Sequence, residues 1–358
     1  MSFALLGVLL LRLAVPLAIP KFPLPAIVAA LVVDAGDQTT LAAFDAVPDD
    51  YQAYDKALDV YYLAVAYIST LRNWLDGMAF RLSRALWYYR LIGVAIFEFT
   101  GARFVLLIFP NTFEYFFIFY EAVRCRWDPA RMSKRLLASV VVLVWVGVKL
   151  PQEWWIHWAR LDMTGFVSRH VTAILVMVAA TMGVVWVSAR LGPPMPTPDW
   201  STAFGVDAHP TTVIRRSADR AAHSWSPLLR PVAEKLVLVG LVTAVFSKLV
   251  PRSDLPTFDI VLGVVLVVVG SSLLGAVLVR DGTGWRHAAI DFAATAVVNL
   301  IVVSVVYLLP TDQLDGGISM QLALFLVGLL TLIIALYDRY RALRLASVGK
   351  RPGLTTVV

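Results

Sequence analysis

Long, sparsely charged apolar runs govern what this chain can fold into. A helix that crosses the hydrocarbon core of a bilayer needs about 20 residues at 1.5 Å each. Runs near that length recur at 57–74, 86–109, 136–151, 170–190, 232–250, 258–279, 287–309 and 320–337. Hydrophobic residues make up 59% of the 358 and charged residues 16%, with a mean hydropathy of +0.74. Soluble globular domains carry about 25% charged residues, so a soluble enzyme, a disordered chain and a collagen-like fibre are excluded. The expected fold class is all-α, a polytopic transmembrane helical bundle with ten or eleven spans.

Two regions leave the span number open. Residues 3–34 are apolar but contain Pro16, Pro20, Pro23 and Pro25. They form one span with a broken entry, or two segments that turn at IPKFP. Residues 111–123 are short for a crossing, yet the surrounding charges require them to cross or nearly cross. The first apolar run has no basic segment before it and carries Arg12 within it. It therefore reads as a retained membrane segment and not as a cleaved signal peptide.

The charge pattern sets an orientation. The chain carries +6 net charge, but the basic residues gather in alternate connections, which removes the need for a nucleic-acid partner. Residues 72–84, 124–135, 190–230, 280–286 and 339–351 supply 20 of the 31 Lys and Arg named in this count. Residues 34–59 hold seven Asp and one Lys. By the positive-inside rule, the basic loops and the C-terminus are cytoplasmic and the Asp-rich 34–59 loop is outside. The expected location is the cell inner membrane, multi-pass.

Four parts follow. Residues 1–190 form a charged, aromatic transmembrane bundle with an outer-face cavity. Residues 191–231, with GPPMPTP, form a cytoplasmic linker. Residues 232–338 form an apolar bundle whose Gly263, Gly270 and Gly275 permit close helix approach, and 339–358 form a basic cytoplasmic tail. Cys125 is the single cysteine, so an intrachain disulfide is excluded. Its neighbours Arg124 and Arg126 could lower its pKa, but the preferred reading is an ordinary loop thiol.

Charges within apolar runs mark candidate sites, because they must pair or face a polar cavity. Asp34 and Asp37 share a helix side if the helix continues, and could hold a divalent cation. Alternatively, they cap a helix that stops at Gly36. Asp59 lies in an apolar, tyrosine-rich run near the outer boundary. Glu98 and Arg103 lie within 86–109, five apart, and look for partners on other helices. Arg103 suits a phosphate or carboxylate. Glu114 is a candidate outer-cavity residue, and Glu121 an expected partner of Arg124. In KLPQEWWIHWARLD, Pro151 would break the preceding span at Lys149. A new helix would then align Glu153, His157 and Arg160, or simply lie in the interface through its tryptophans. Asp291 and Asn299 read mainly as interhelical packing.

Asp34, Asp37, Asp59, Glu98, Arg103, Glu114, Glu153, His157 and Arg160 are thus the candidate substrate-binding residues, with Asp34 and Asp37 the candidate metal ligands. No phosphate-binding loop, dinucleotide fingerprint or nucleophile elbow stands in a usable context. The leading expectation is a transporter for a small charged or amphipathic solute. Alternatives are a membrane-embedded transferase or hydrolase acting on a lipid-linked or phosphate-containing substrate at the outer leaflet, and a non-catalytic subunit of a membrane complex. Expected partners are membrane lipids, a small charged or lipid-linked substrate, and a second copy or membrane protein against the C-terminal bundle.

Overall fold

The computed structural model describes residues 3–48, 51–74, 77–154, 196–199, 201–206, 226–249 and 320–348, with isolated residues between 172 and 179 and between 293 and 297. These residues are all-α. Helix α1, Phe3–Ala14, runs into a 3₁₀ turn at Val15–Ala18. The chain reverses at IPKFP, where Lys21 and Phe22 N–H both donate to the Ala18 carbonyl. Helix α2, Pro23–Ala43, then begins on a proline, whose missing N–H costs nothing in a first turn. Residues 3–34 are therefore two helical segments.

Helix α2 continues through Gly36, and α3, Tyr51–Asn73, follows after a short turn. Asp45 occupies that turn at φ 49°, the left-handed region that Asp tolerates better than most residues. The acidic 34–59 segment, expected as a loop, is thus mostly a helical hairpin. Helix α4, Gly77–Thr100, ends where Gly101 takes φ +65° and donates its N–H to the Phe97 carbonyl, an αL stop. Helix α5, Phe104–Ile108, and α6, Thr112–Arg124, are separated at Pro110.

Helix α7, Lys134–Leu143, passes into a π-helical stretch, Val144–Lys149, and then α8, Leu150–Glu153. The expected break at Lys149 does not occur. A proline ring clashes with the carbonyl four residues earlier, here Gly147, and the wider π turn around Gly147 accommodates Pro151. Helices α9, Ser226–Leu249, and α10, Met320–Val348, complete the described residues.

The expected ten or eleven spans are corrected. Among the described residues three helices are long and apolar enough to cross a membrane: Pro23–Ala43, Phe104–Arg124 and Lys134–Gln152. Several expected spans fail for identifiable reasons. The Phe3–Ala18 helix is too short. Helix α3 carries Asp55, Lys56, Asp59 and Arg72 and is wrapped by other helices. The 86–109 run is divided by the Gly101 turn. In α9 only residues 236–247 lie free of charge between Lys235 and Lys248. The expected spans 170–190, 258–279 and 287–309 fall almost wholly outside the described residues.

Helix α3 is the centre of the packing. Helix α10 runs along it, α9 lies along α4, and α1, α2 and α4 close the remaining sides. Tyr61, Tyr67, Trp74, Trp87, Phe113, Phe116 and Phe117 are fully buried with Val242 and Ile333 in one core. The outward side is also apolar. The Lys134–Gln152 helix buries only 11% of its apolar window, leaving Val142, Leu143 and Val146 exposed, a face suited to lipid contact. Residues 196–199 and 201–206 lie against the α6–α7 connection, with Asp199 N–H and Ala203 N–H donating to the Arg126 and Cys125 carbonyls.

Candidate functional site

Arg12 is the origin of the site. Its side chain is 4% exposed, at the inner face of α1. The α2–α3 hairpin brings four carboxylates to it. Arg12 donates to Asp34 and Asp37 from α2, to Asp55 at 2.7 Å and to Asp59 at 3.0 Å from α3. The i,i+3 spacing of Asp34 and Asp37 and the i,i+4 spacing of Asp55 and Asp59 put each pair on one side of its helix. Asp37 is fully engaged: its other oxygen accepts from Tyr51 Oη at 2.6 Å. A single guanidinium can satisfy many acceptors through five N–H groups, but one positive charge against four carboxylates leaves surplus negative charge.

Oxygens of Asp34, Asp55 and Asp59 lie within 4.8 Å of one another. This part-buried trio can hold a divalent cation, and its hard oxygen donors suit magnesium or calcium better than zinc. Asp55 thus takes the place beside Asp34 that the spacing alone had suggested for Asp37. Arg12 already occupies the centre of the group, so a cation would share the carboxylates with it.

Asp59 also faces the other way, into a cavity of about 110 Å³ between α3, α4 and the α5–α6 turn. That space has room for several water molecules and is small for a ligand pocket. Its walls carry both signs of charge: Asp59 and Glu98, with Lys56 and Arg90. Lys56 and Glu98 form an ion pair at 3.1 Å, and Lys56 lies over the Phe97 ring. Arg90 donates one N–H to the Phe109 carbonyl at 2.9 Å.

Asn111 and Trp87 line the same cavity, and each holds a buried polar atom without a partner, Oδ1 and Nε1 respectively. The Asn111 orientation follows from Glu114. Asn111 Nδ2 donates to Glu114 Oε2 at 2.6 Å and Tyr62 Oη donates to Glu114 Oε1 at 3.1 Å, so the amide nitrogen is spent on the carboxylate. Glu114 is therefore a buried positioning group behind the cavity. Lys149 sits nearby, 4.1 Å from the Tyr115 ring centre.

The remaining expected residues are dispersed. Arg103 is exposed at the break before α5, and Glu98 pairs instead with Lys56. Glu153 lies in α8. His157 and Arg160 lie outside the described residues, as do Asp291 and Asn299. Glu121 pairs with Arg124 at 2.7 Å and accepts from Trp74 Nε1 at 2.6 Å. The Cys125 thiol is pushed up, first by burial and then by Glu121, with Arg124 opposing; the lowering that its two arginine neighbours suggested is overcome.

Arg12, Asp55, Lys56, Trp87 and Asn111 were not among the sequence candidates. Arg12 had a readable signal: it is the lone charge in the first 20 residues, and an intramembrane Arg demands partners. Lys56 had another, as the single base in the acidic segment. Trp87 and Asn111 had none, since their role arises from packing.

No protein-family model, curated protein or solved structure matches this chain.

Proposed function

We propose that this chain is a membrane transporter for a small charged solute, bound in the cavity between α3 and α4. The observation that carries the reading is the cavity wall itself. Lys56 and Arg90 offer positive charge, and Asp59 and Glu98 negative charge, around a space sized for a few heavy atoms.

Asp59 supports a coupling role. It is the one carboxylate shared by the cavity and the Arg12 group. A solute ammonium that engages Asp59 competes with Arg12 for it, and the surplus carboxylates can then take up a cation. We place the acidic end outside and the basic end in the cytoplasm, following the positive-inside rule.

The test is uptake by proteoliposomes of the full chain, using radiolabelled glycine, acetate and methylammonium as zwitterionic, anionic and cationic probes. Saturable uptake of one probe above protein-free vesicles, lowered by Lys56→Ala, is the expected result. No uptake of any probe, together with no saturable binding in detergent, overturns the reading.

A further inference from the structure

The charges around the α3–α4 cavity are ordered along the two helices, and the order selects a class of solute. Two contacts fix the register of the hairpin that α3 and α4 form. Lys56 pairs with Glu98, and the Tyr67 ring stacks on the Trp87 ring with centres 5.9 Å apart. Eleven residues separate the two contacts on each helix, so one register serves both. Asp59 then falls level with Ala95, and Arg90 level with Ala64. Five residues of helix, about 7.5 Å, separate the levels of Asp59 and Arg90. Passing from the Lys56–Glu98 pair towards Trp87, the cavity meets a carboxylate first, then a guanidinium, then the indole.

The two inner charges are in opposite surplus. Arg90 makes no ion pair with a described residue. Its hydrogen bond goes to the Phe109 carbonyl at 2.9 Å. The carboxylate within its electrostatic reach is Glu114, which already accepts from Asn111 and Tyr62 and is shared with Lys149. Asp59 has the reverse condition. It accepts from Arg12, which three other carboxylates also claim, and its side chain is 44% exposed. An anionic solute would meet Asp59 and Glu98 in the cavity, and a cationic one would meet Arg90.

Two unmet polar atoms belong to the same wall. Asn111 is 8% exposed and Trp87 1%, and Asn111 Oδ1 and Trp87 Nε1 lack a partner. One is an acceptor and the other a donor, and an unmet buried polar atom calls for an explanation. An ammonium answers Asp59 and Asn111, and a carboxylate answers Arg90 and Trp87. A molecule carrying both groups a carbon or two apart, with a charge-assisted contact of about 2.8 Å at each end, spans a gap of the order that separates the two levels. The cavity volume of about 110 Å³ leaves little room for more.

We propose that the solute is a small zwitterion, a glycine-sized amino acid, with its ammonium held by Asp59 and Asn111 and its carboxylate by Arg90 and Trp87. The inference rests on the reading of this cavity as the solute site and names the substrate class.

The test pairs equilibrium binding to the full chain in detergent with uptake by proteoliposomes. The probes are radiolabelled glycine, acetate, methylammonium and 6-aminohexanoate, a zwitterion whose charges stand five carbons apart. Glycine should bind at least about tenfold more tightly than each of the others, which lack one charge-assisted contact or the spacing. Asp59→Asn should remove the preference for glycine over acetate and keep that over methylammonium. Arg90→Gln should do the reverse. A merely structural role would lower all probes together, and that result in both variants overturns the assignment. Should a variant not fold, the parent's probe series decides alone. Glycine no tighter than acetate or methylammonium overturns the zwitterion, while saturable uptake of either ion would leave transport standing. 6-Aminohexanoate as tight as glycine overturns the spacing. Glycine bound selectively but never taken up supports the site and overturns transport. No binding and no uptake of any probe overturns both.

Discussion

Lys56 Nζ on α3 lies 3.1 Å from Glu98 Oε1 on α4, and both residues line the one cavity that Asp59 also borders. Lys56 is 41% exposed in its side chain and Glu98 only 9%, so the pair stands between solvent and the cavity interior. An ion pair this exposed contributes about 0–1 kcal/mol to stability. Its value is therefore expected in ligand binding. Lys56→Glu and Glu98→Lys should each lower solute affinity by about 10- to 100-fold, the loss of one charge-assisted contact, while moving the melting temperature little. The exchanged double variant restores the pair but not its polarity, so its melting temperature should match the parent while affinity stays low. Parent-like affinity in both single variants would remove the pair from the site.

Arg12 should be the most sensitive charged position. Removing the cation from a buried ionic group costs about 3–5 kcal/mol, and here four carboxylates would remain facing one another. Arg12→Gln should unfold at markedly lower temperature than the parent. Lysine should rescue poorly, since a point charge cannot reach all four acids as a planar fork does. Magnesium or calcium should raise the melting temperature of Arg12→Gln more than that of the parent, by replacing the lost charge among Asp34, Asp55 and Asp59. Equal metal response in both proteins would mean that Arg12 and the cation do not compete.

The same group shows what the sequence made legible. Helical character was readable from the apolar runs. Span number was not readable, because hydropathy cannot tell a helix that faces lipid from one enclosed by other helices. Helix α3 is the example: its buried stretch is flanked by Asp55 and Asp59 at one end and Arg72 at the other, yet it sits at the centre. Pro151 misled for a different reason, since a π turn absorbs a proline that would break an α-helix. Asp55 was not singled out because its partner Arg12 is 43 residues away, a pairing that only the two hairpins create.

Cys125 offers a solution test at the end of α6. Burial and Glu121 raise its pKa, so less thiolate is present at any pH below the raised value, and the thiolate is the reactive form. Alkylation of the folded protein by N-ethylmaleimide at pH 7.5 should be much slower than that of free cysteine, should speed up as the pH rises, and should reach the free rate on denaturation. Rapid reaction in the folded state would show instead that the arginine neighbours control the thiol.

Gly93 and Gly36 should respond to alanine in opposite directions. Both lie inside helices, where Ala is favoured over Gly by roughly 0.5–1 kcal/mol. At Gly36 an added Cβ meets nothing within 4 Å, so Gly36→Ala should stabilise by up to about that amount. At Gly93 the added Cβ would stand 2.1 Å from Phe109 Cβ, closer than two carbons can approach, and overpacking of this kind costs about 1–3 kcal/mol. Gly93→Ala should therefore lower the melting temperature and loosen the α5–α6 turn that carries Asn111. Phe109→Ala should not relieve the clash, because alanine keeps the offending Cβ; Phe109→Gly should. A stabilising Gly93→Ala would mean that α4 and the Phe109 turn are not in the close contact that shapes the cavity.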